Sequence, residues 1–314
     1  MGIAHFDQAP AAEHELGHIQ GRWTMLGPAA GTVKVGVQRI QLPAGGWSTP
    51  AHDHGREEEI FYVLDGTGLS WQDGEVAQVR AGDCIVYLPG DGAHTLHALG
   101  PLDVLAFGER IDDESVGFPR LGMSYVGRRL VESMPSMGDG APLQHLRESE
   151  LGPPALPDPV PGDRPRPPTI ANVEDVEAAT VERPRVARTR RNLGRAVGSV
   201  STGLQHVEVA PGKYSTAQHC HSVEEEIFVI LDGDGVLVLG EEETEVGPGH
   251  VIARPAGTGV AHVFRAGACG LTYLAYGMRD PADICFYPRS NKIAIRGLGL
   301  VARLERLDYW DGED

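Results

Sequence analysis

The stretch that decides the fold is EEEIFYVLDGTG at residues 57–68, because the chain repeats it as EEEIFVILDGDG at residues 224–235. The two copies are identical at nine of twelve positions. Each copy is a short apolar run followed by Asp-Gly, a dipeptide typical of tight turns between strands. An internal repeat of this kind indicates a duplicated unit. The chain is therefore predicted to contain two copies of one β-rich domain.

The similarity extends beyond these copies. His52-Asp53-His54 aligns with His219-Cys220-His221, and upstream Ala44-Gly45 aligns with Pro211-Gly212. Valines at positions 33, 35 and 37 show the alternation of a half-buried strand. The 41 glycines and 23 prolines separate many short apolar runs and argue against a helical bundle. We predict an all-β protein of closed antiparallel barrels or sandwiches, with low helix content.

A proline-rich segment separates the two halves. Eight of the twenty residues from Leu151 to Ile170 are proline, which favours an extended, semi-rigid connector. Short helical turns fit best at residues 143–150 and 173–179. The predicted divisions are an N-terminal barrel at 20–130, a linker at 141–185, a C-terminal barrel at 190–290 and a tail at 291–314.

The tail is rich in apolar residues, so we expect it to return as strands that pack on a barrel or at a subunit interface. Open sheets also leave edges that proteins generally cover. Both features predict a homo-oligomer, most simply a dimer.

The net charge argues against one class of partner. A formal charge of −17 repels a phosphate backbone, so we expect no nucleic acid partner. We interpret the six arginines from Arg183 to Arg195 as a solvated linker face rather than an anion site. No stretch reaches the roughly 18 apolar residues of a membrane span, and the N-terminus lacks the pattern of a signal peptide. We expect a soluble, cytoplasmic protein without a membrane partner, whose four scattered cysteines are reduced.

Two sets of side chains have the spacing of metal ligands. Residues two apart in a strand project to the same face, so each His-x-His can chelate one ion. A glutamate follows each pair by five residues, where a hairpin brings its carboxylate back to the imidazoles. A further histidine follows a turn rich in proline and glycine, 42 or 43 residues after the first ligand. The predicted ligands are His52, His54, Glu59 and His94 in the first half, and His219, His221, Glu226 and His262 in the second.

This arrangement resembles the cupin superfamily, and its duplication resembles the bicupins. The first half has the complete first cupin motif, from Gly46 through the ligands to Gly66. The second half departs from it at Lys213, where the motif has glycine. The second motif is matched more loosely, from Gly82 to His94 and from Gly249 to His262. The resemblance covers roughly residues 30–110 and 197–280, and it implies two tandem cupin barrels of the jelly-roll type, each with a metal ion inside its mouth.

Alternation alone does not fix the glutamate ligand, because three consecutive glutamates stand in each half. Glu57 and Glu59 share one face, and Glu58 points the other way. The cupin spacing selects Glu59 and Glu226, and it leaves Glu58 and Glu225 as the alternatives.

Three imidazoles and one carboxylate form a shell that suits a divalent transition metal, namely Fe, Mn, Ni, Cu, Co or Zn, with up to one ion per domain. Such a shell leaves positions for water or substrate. Cupins with this shell include dioxygenases, oxalate decarboxylases, sugar isomerases and binding proteins, so the resemblance does not select a reaction. Oxalate decarboxylases usually carry an arginine three residues before the first histidine, where this chain has Thr49 and Thr216.

We therefore favour a dioxygenase-like oxidoreductase that acts on a small oxygenated organic substrate. The alternatives are a noncatalytic metal-containing binding or sensor protein and a metal-dependent isomerase or decarboxylase.

Two catalytic candidates stand thirteen residues before the first ligand, Arg39 in one half and His206 in the other. If they face the barrel interior, Arg39 fixes an anionic substrate and His206 acts as a base. The competing interpretation is an outward polar residue on an alternating strand. We expect any activity in the C-terminal half, because His206 lies there.

Overall fold

The computed structural model describes residues 2–126, 129–130, 143–157 and 166–313. Strands dominate these ranges, and every pairing between the strands named here is antiparallel. In the first half the strands are β1 (Ile3–His5), β2 (Ala11–Leu16), β3 (Ile19–Thr24), β4 (Val35–Leu42), β5 (Asp53–His54), β6 (Glu59–Gln72), β7 (Glu75–Arg80), β8 (Asp83–Tyr87), β9 (His94–Glu109), β10 (Ser115–Phe118), β11 (Met123–Val126) and β12 (Arg129–Leu130).

In the second half the strands are β13 (Ile170–Asn172), β14 (Ala178–Glu182), β15 (Ala187–Arg191), β16 (Thr202–Val209), β17 (Cys220–His221), β18 (Glu226–Leu239), β19 (Glu242–Val246), β20 (His250–Arg254), β21 (His262–Met278), β22 (Ile284–Tyr287), β23 (Lys292–Ile295) and β24 (Leu300–Arg303). The helices are short: α1 (Leu26–Ala30), α2 (Leu143–Leu151) and α3 (Leu193–Ala196), with 3₁₀ turns at Val173–Asp175, Pro288–Ser290 and Arg296–Leu298. The all-β prediction is confirmed.

The first barrel contains an eight-stranded and a four-stranded sheet. The larger sheet has the order β13-β8-β6-β9-β4-β3-β2, with β7 paired to β6, and the smaller has the order β12-β11-β10-β5. The long strands β6 and β9 shift register around Asp65 and Gly66. Such a bulge bends a strand and lets the sheet curl.

Gly66 explains why this bend falls where it does. Its φ is +90°, and the carbonyl of Pro101 occupies the position that a Cβ atom would take. Only glycine combines that backbone conformation with so close an approach. Gly233 makes the same approach to the backbone of Gly270. The Asp-Gly dipeptides, predicted to be tight turns, are therefore bulges inside long strands instead.

The second barrel repeats the order of the first. Its larger sheet runs β1-β20-β18-β21-β16-β15-β14 with β19 on β18, and its smaller sheet runs β17-β22-β23-β24. The prediction of two tandem barrels made from one duplicated unit is confirmed.

Each barrel takes one strand from the other half of the chain. β1 pairs with β20 through Ile3 and Ile252, and β13 pairs with β8 through Ile170 and Ile85. β13 lies inside the predicted linker, which also holds α2 and β14. The proline-rich run ends at Pro168, so the backbone donors needed for sheet pairing are again available from residue 169 onward. The barrels are thus joined by exchanged strands as well as by the linker.

One continuous apolar cluster lies between the two barrels. It contains Ile60 and Phe107 from the first barrel and Ile227 and Tyr276 from the second, all essentially inaccessible to water. The rings of Phe107 and Tyr276 lie 5.1 Å apart. Burial of this size is the dominant stabilising contribution to a protein core, so the barrels form one packed unit.

The C-terminal tail forms β23 and β24, which extend the smaller sheet outward from β22. Several of its apolar side chains remain exposed, including Leu298, Val301 and Trp310. No helix in the described ranges has the length and hydrophobicity needed to cross a membrane.

Candidate metal centres

The four ligands predicted in the first half meet at one point. His54 lies on β5, Glu59 begins β6 and His94 begins β9, while His52 forms an isolated bridge with His94. The Nε2 atoms of His52, His54 and His94 lie 3.8, 3.7 and 3.0 Å from Oε2 of Glu59. All four donor atoms lie within 4.8 Å of one another. The strand alternation and the returning hairpin thus bring the residues together as the sequence predicts.

The second half repeats this centre with small differences. Nε2 of His221 and Nε2 of His262 lie 3.5 and 3.2 Å from Oε2 of Glu226. The donor atoms of His219, Glu226 and His262 form one group within 4.8 Å. A second group of that size joins His219 and His221 to the thiol of Cys285. Cys285 is the register partner of His221 across β17 and β22, a pairing that sequence spacing does not reveal.

The tautomers of His52 and His219 leave the inner nitrogen of each ring free. Nδ1 of His52 lies 2.9 Å from the Pro50 carbonyl, and Nδ1 of His219 lies 2.9 Å from the Ala217 carbonyl. A carbonyl only accepts, so Nδ1 carries the proton and the lone pair sits on Nε2. Nε2 of His54, Nε2 of His221 and Oε2 of Glu226 are buried, and none of them has a hydrogen-bond partner within the described part of the chain. Buried polar atoms normally have partners, so this donor set fits a divalent transition metal ion.

The electrostatics of the first centre follow from burial and charge. Burial, with His94 beside it, lowers the pKa of His52 to about 3 and keeps that imidazole neutral. Burial also acts to lower the pKa of His54, but Glu59, Glu57 and Glu114 outweigh it and raise the pKa to about 9. Burial opposes ionisation of Glu59, yet the adjacent imidazoles of His54 and His94 hold its pKa well below the usual range. The carboxylate is therefore ionised and shared among three imidazoles.

A buried carboxylate orients His221 in the second centre. Nδ1 of His221 donates to Oδ2 of Asp283 at 2.7 Å, and the other oxygen of Asp283 accepts from the backbone N–H of Ser222, Val223 and Glu224. In the first centre Nδ1 of His54 lies 3.8 Å from Glu114, beyond hydrogen-bond distance. A partner of this kind fixes the ring of a metal ligand and raises its basicity. The carboxylate thus forms a hydrogen bond to the ligand histidine in the second centre, whereas the corresponding contact in the first centre is too long to be one.

A cavity of about 380 Å³ opens onto the second centre. All four predicted ligands of that half line it, together with Cys285. Its other polar walls come from residues that we did not select from the sequence: Arg188, Arg190, Gln205, Tyr273, Asp283, Tyr287 and Arg296. A volume near the lower end of the usual range for ligand pockets suits a small molecule.

The two barrels differ at matched positions around their centres. Val207 on β16 pairs with Tyr273, whereas its counterpart Ile40 pairs with Val104. Across from the second histidine of each pair stand Cys285 in the second half and Val116 in the first. The rings beside the first histidines are those of Tyr287 and Phe118. At these three positions the second centre has the more polar side chains.

The catalytic candidates do not reach the centres. Arg39 forms a two-point ion pair with Asp103, with Nε–Oδ1 at 2.9 Å, and its guanidinium lies over the ring of Phe6. Nδ1 of His206 lies 3.6 Å from Oε1 of Glu208, away from the cavity that the preceding residue Gln205 lines. The structure thus places neither side chain beside its centre, because one step along a strand reverses the face and the sequence does not fix that register.

Two further interpretations are corrected. The alternative ligands Glu58 and Glu225 point away from the centres and bind backbone N–H groups of the opposite barrel. The arginine-rich stretch is not uniformly solvated, because Arg188 and Arg190 line the cavity. Alternation along β15 turns them inward.

Comparison with known proteins agrees with this architecture. The sequence profile of the cupin domain matches residues 38–108 and 205–268, one segment in each barrel. Each barrel thus contains a cupin domain, the two-domain arrangement called a bicupin. An uncharacterized protein of Methanocaldococcus jannaschii is 37% identical to the bicupin over 75 residues, which are 23% of this chain and 58% of that one. The bicupin therefore covers little more than half the length of that relative.

Two solved structures share the fold of the bicupin over most of its length. Oxalate decarboxylase of Bacillus subtilis, which has Mn(II) centres, superposes with a TM-score of 0.57 at 15% identity and covers 90% of this chain and 78% of its own. The coconut allergen cocosin gives a TM-score of 0.57 at 13% identity, covering 91% and 87%. A decarboxylase and an allergen thus have the same fold, which by itself does not select a reaction for this chain.

Proposed function

We propose that this bicupin is a metal-dependent enzyme whose active site is the C-terminal centre. The observation that carries the proposal is the cavity of about 380 Å³ onto which His219, His221, Glu226 and His262 all open. Free nitrogen lone pairs beside a space of substrate size are what a metal-dependent active site requires.

Each centre is proposed to hold one divalent transition metal ion. In the first barrel the ligands are His52, His54, Glu59 and His94, and in the second they are His219, His221, Glu226 and His262. A shell of neutral imidazoles and one carboxylate suits Fe or Mn as well as Co, Ni, Cu and Zn. When bound, such an ion polarises a substrate oxygen or activates dioxygen. We propose the second chemistry, a dioxygenase-like oxidation of a small oxygenated organic molecule.

The cavity walls supply binding and orientation. Burial raises the pKa of Tyr273 to about 12, so its hydroxyl stays protonated at neutral pH and can donate to a substrate oxygen. Burial likewise raises the pKa of Tyr287, whose ring stacks on His219 at 5.8 Å. Asp283 holds the ring of His221 through its short hydrogen bond. The apolar positions Val104, Val116 and Phe118 offer no such groups around the first centre, which favours the second centre as the catalytic one.

The test is metal reconstitution followed by measurement of oxygen uptake. Protein loaded with Fe(II) or Mn(II) is supplied with small carboxylates, phenols and diketones. We expect uptake that requires both metal and one substrate class, that disappears in His219→Ala/His221→Ala and that persists in His52→Ala/His54→Ala. Uptake that survives in the first variant contradicts the assignment to the C-terminal centre. If a substrate is converted without oxygen uptake, the reaction is an isomerisation or a decarboxylation and not an oxidation. If a substrate binds and is not converted, the protein is a sensor or binding protein.

A further inference from the structure

Two arginines from β15 face the C-terminal cavity. Arg190 pairs in register with Val207 and Arg188 with Val209, and both guanidinium side chains line the cavity together with Val207 and the metal ligands. Arg191, the next residue, turns to the other face and binds Oε1 of Glu208 at 2.5 Å. Because successive side chains of a strand alternate between its two faces, Arg191 forms an ordinary surface ion pair while Arg188 and Arg190 point inward.

Neither of these two cations has a counter-ion among the residues that the structure describes. No carboxylate there lies within ion-pair distance of Arg188 or Arg190, whereas Arg191, Arg265 and Arg296 are each paired with a glutamate. Burial lowers the pKa of Arg188, and the neighbouring charge of Arg190 lowers it further. Two like charges held together in a half-buried site are unfavourable unless an anion joins them.

The barrel fold does not require arginine at these places. Trp23 pairs with Ile40 in the first barrel as Arg190 pairs with Val207 in the second. Two residues earlier, where the second barrel has Arg188, the first has Gly21. Trp23 belongs to the apolar core of its barrel. The two arginines thus occur in the C-terminal barrel and not at the matching positions of the first barrel, and they lie beside the C-terminal cavity.

The net charge of the cavity with its metal ion bound indicates which kind of substrate the cavity accepts. Arg296 is neutralised by Glu224, which leaves Glu226 and Asp283 as the cavity carboxylates. The positive charges of a divalent ion and two guanidinium groups exceed the negative charges of those two carboxylates by two. A guanidinium presents paired N–H donors that match the oxygens of a carboxylate or phosphate.

We propose that Arg188 and Arg190 form an oxyanion subsite and that the C-terminal cavity takes a small organic dianion. This inference rests on the proposed metal-dependent function and names its substrate class. The guanidinium groups hold a terminal carboxylate or phosphate, and the rest of the molecule lies towards His219 and His221 within the space of about 380 Å³.

Calorimetry on the Co(II)-loaded protein tests the subsite with malonate, methyl phosphate and the neutral analogue malonamide. We expect one of the dianions to bind and malonamide not to bind. Arg188→Gln and Arg190→Gln should each raise the Kd by about tenfold or more, because each removes a charged hydrogen-bonding group. Arg191→Gln, with the same chemical change on the same strand, should leave the Kd unchanged. Arg190→Lys keeps the charge and should recover part of the affinity if Arg190→Gln folds poorly.

The outcomes separate this inference from the proposed function. If the C-terminal centre holds metal but neither dianion binds, or if both arginine variants bind as the wild type does, the subsite is overturned and the metal-dependent function stands. If that centre holds no metal, the proposed function fails. Thermal stabilisation of the metal-free protein by malonate then tests whether the two arginines form an anion subsite. Stabilisation that is lost in Arg188→Gln and kept in Arg191→Gln supports the subsite, and equal stabilisation of both contradicts it.

Discussion

Glu58 and Glu225 occupy equivalent positions in the two repeats, and each carboxylate binds the backbone of the opposite barrel. Glu58 accepts from the backbone N–H of Val200 and Ser201 at 2.6 and 2.9 Å. Glu225 accepts from Lys34 and Val35 at 2.6 and 2.9 Å. Both glutamates are almost fully buried. Two reciprocal charged contacts thus flank the apolar cluster between the barrels.

Replacing Glu58 by glutamine should destabilise the whole protein. An amide presents one oxygen where the carboxylate presents two, and its NH₂ group faces backbone donors. We expect the free energy of unfolding to fall by about 2–4 kcal/mol, because several hydrogen bonds to a buried charge are weakened. Glu225→Gln should act similarly, and Glu182→Gln, at an exposed position on β14, should change little. Denaturant unfolding measures the difference, and equal stability of Glu58→Gln and wild type would show that the contact is energetically neutral.

The effect of Glu58 should depend on pH. Burial opposes its ionisation, but the backbone N–H groups of Ser201 and Val200 and nearby hydroxyls lower its pKa below the ordinary value of 4.5. A group with a lowered folded-state pKa stabilises the protein above the unfolded-state value and loses that contribution in acid. The stability difference between wild type and Glu58→Gln should therefore shrink as the pH falls below about 4.5. A difference that grows in acid would contradict this assignment.

The sequence predicts the fold and the ligand sets because both depend on local spacing. The repeat, the His-x-His pairs and the returning glutamates, as at Glu59, all follow from the period of two in a strand. Which residue faces inward on a neighbouring strand depends on register across the sheet, and a shift of one residue reverses the answer. For this reason the sequence alone does not show that Gln205 rather than His206 faces the cavity, or that Arg190 points inward. Asp283 lies 62 residues from His221 and is brought to it only by the pairing of β17 with β22.

Asp283→Asn should weaken metal binding at the C-terminal centre. The hydrogen bond from His221 Nδ1 is 2.7 Å long and raises the basicity of the ligand. We expect an affinity loss of about 10–100-fold at this centre and none at the first, which serves as an internal control. Glu114→Gln is the matched variant at the first centre, where the contact to His54 is 3.8 Å, and its effect should be smaller. Chelator competition measures both, and equal losses would contradict the unequal support of the two centres.

Metal affinity at the first centre should rise with pH. The pKa of His54 is raised to about 9, so below that value an incoming ion must displace a proton from it. We expect affinity to increase from about pH 6 to about pH 9, with about one proton released per ion in this interval. Affinity that stays constant over the interval would argue against His54 as a ligand.

We propose that the tail is a surface for self-association. β24 is the outer strand of its sheet, and Val301, Tyr309 and Trp310 are 61%, 84% and 66% exposed. Unpaired edges with apolar side chains are generally covered in assemblies. We expect light scattering to give twice the chain mass of 33.6 kDa. Val301→Lys should shift the protein towards the monomer, whereas Val200→Lys, at an exposed valine outside the tail, should not. A monomeric wild type would refute the dimer.

Elemental analysis of two double variants decides whether the assigned residues hold the metal. We expect one ion per centre in the wild type, and we expect His52→Ala/His54→Ala and His219→Ala/His221→Ala each to lose one of the two ions and keep the other. These side chains belong to separate barrels and lie outside the apolar cluster that joins them, so circular dichroism should show an intact fold in both variants. Unchanged metal content in either variant would show that other residues hold the ion and that the assigned ligands are wrong.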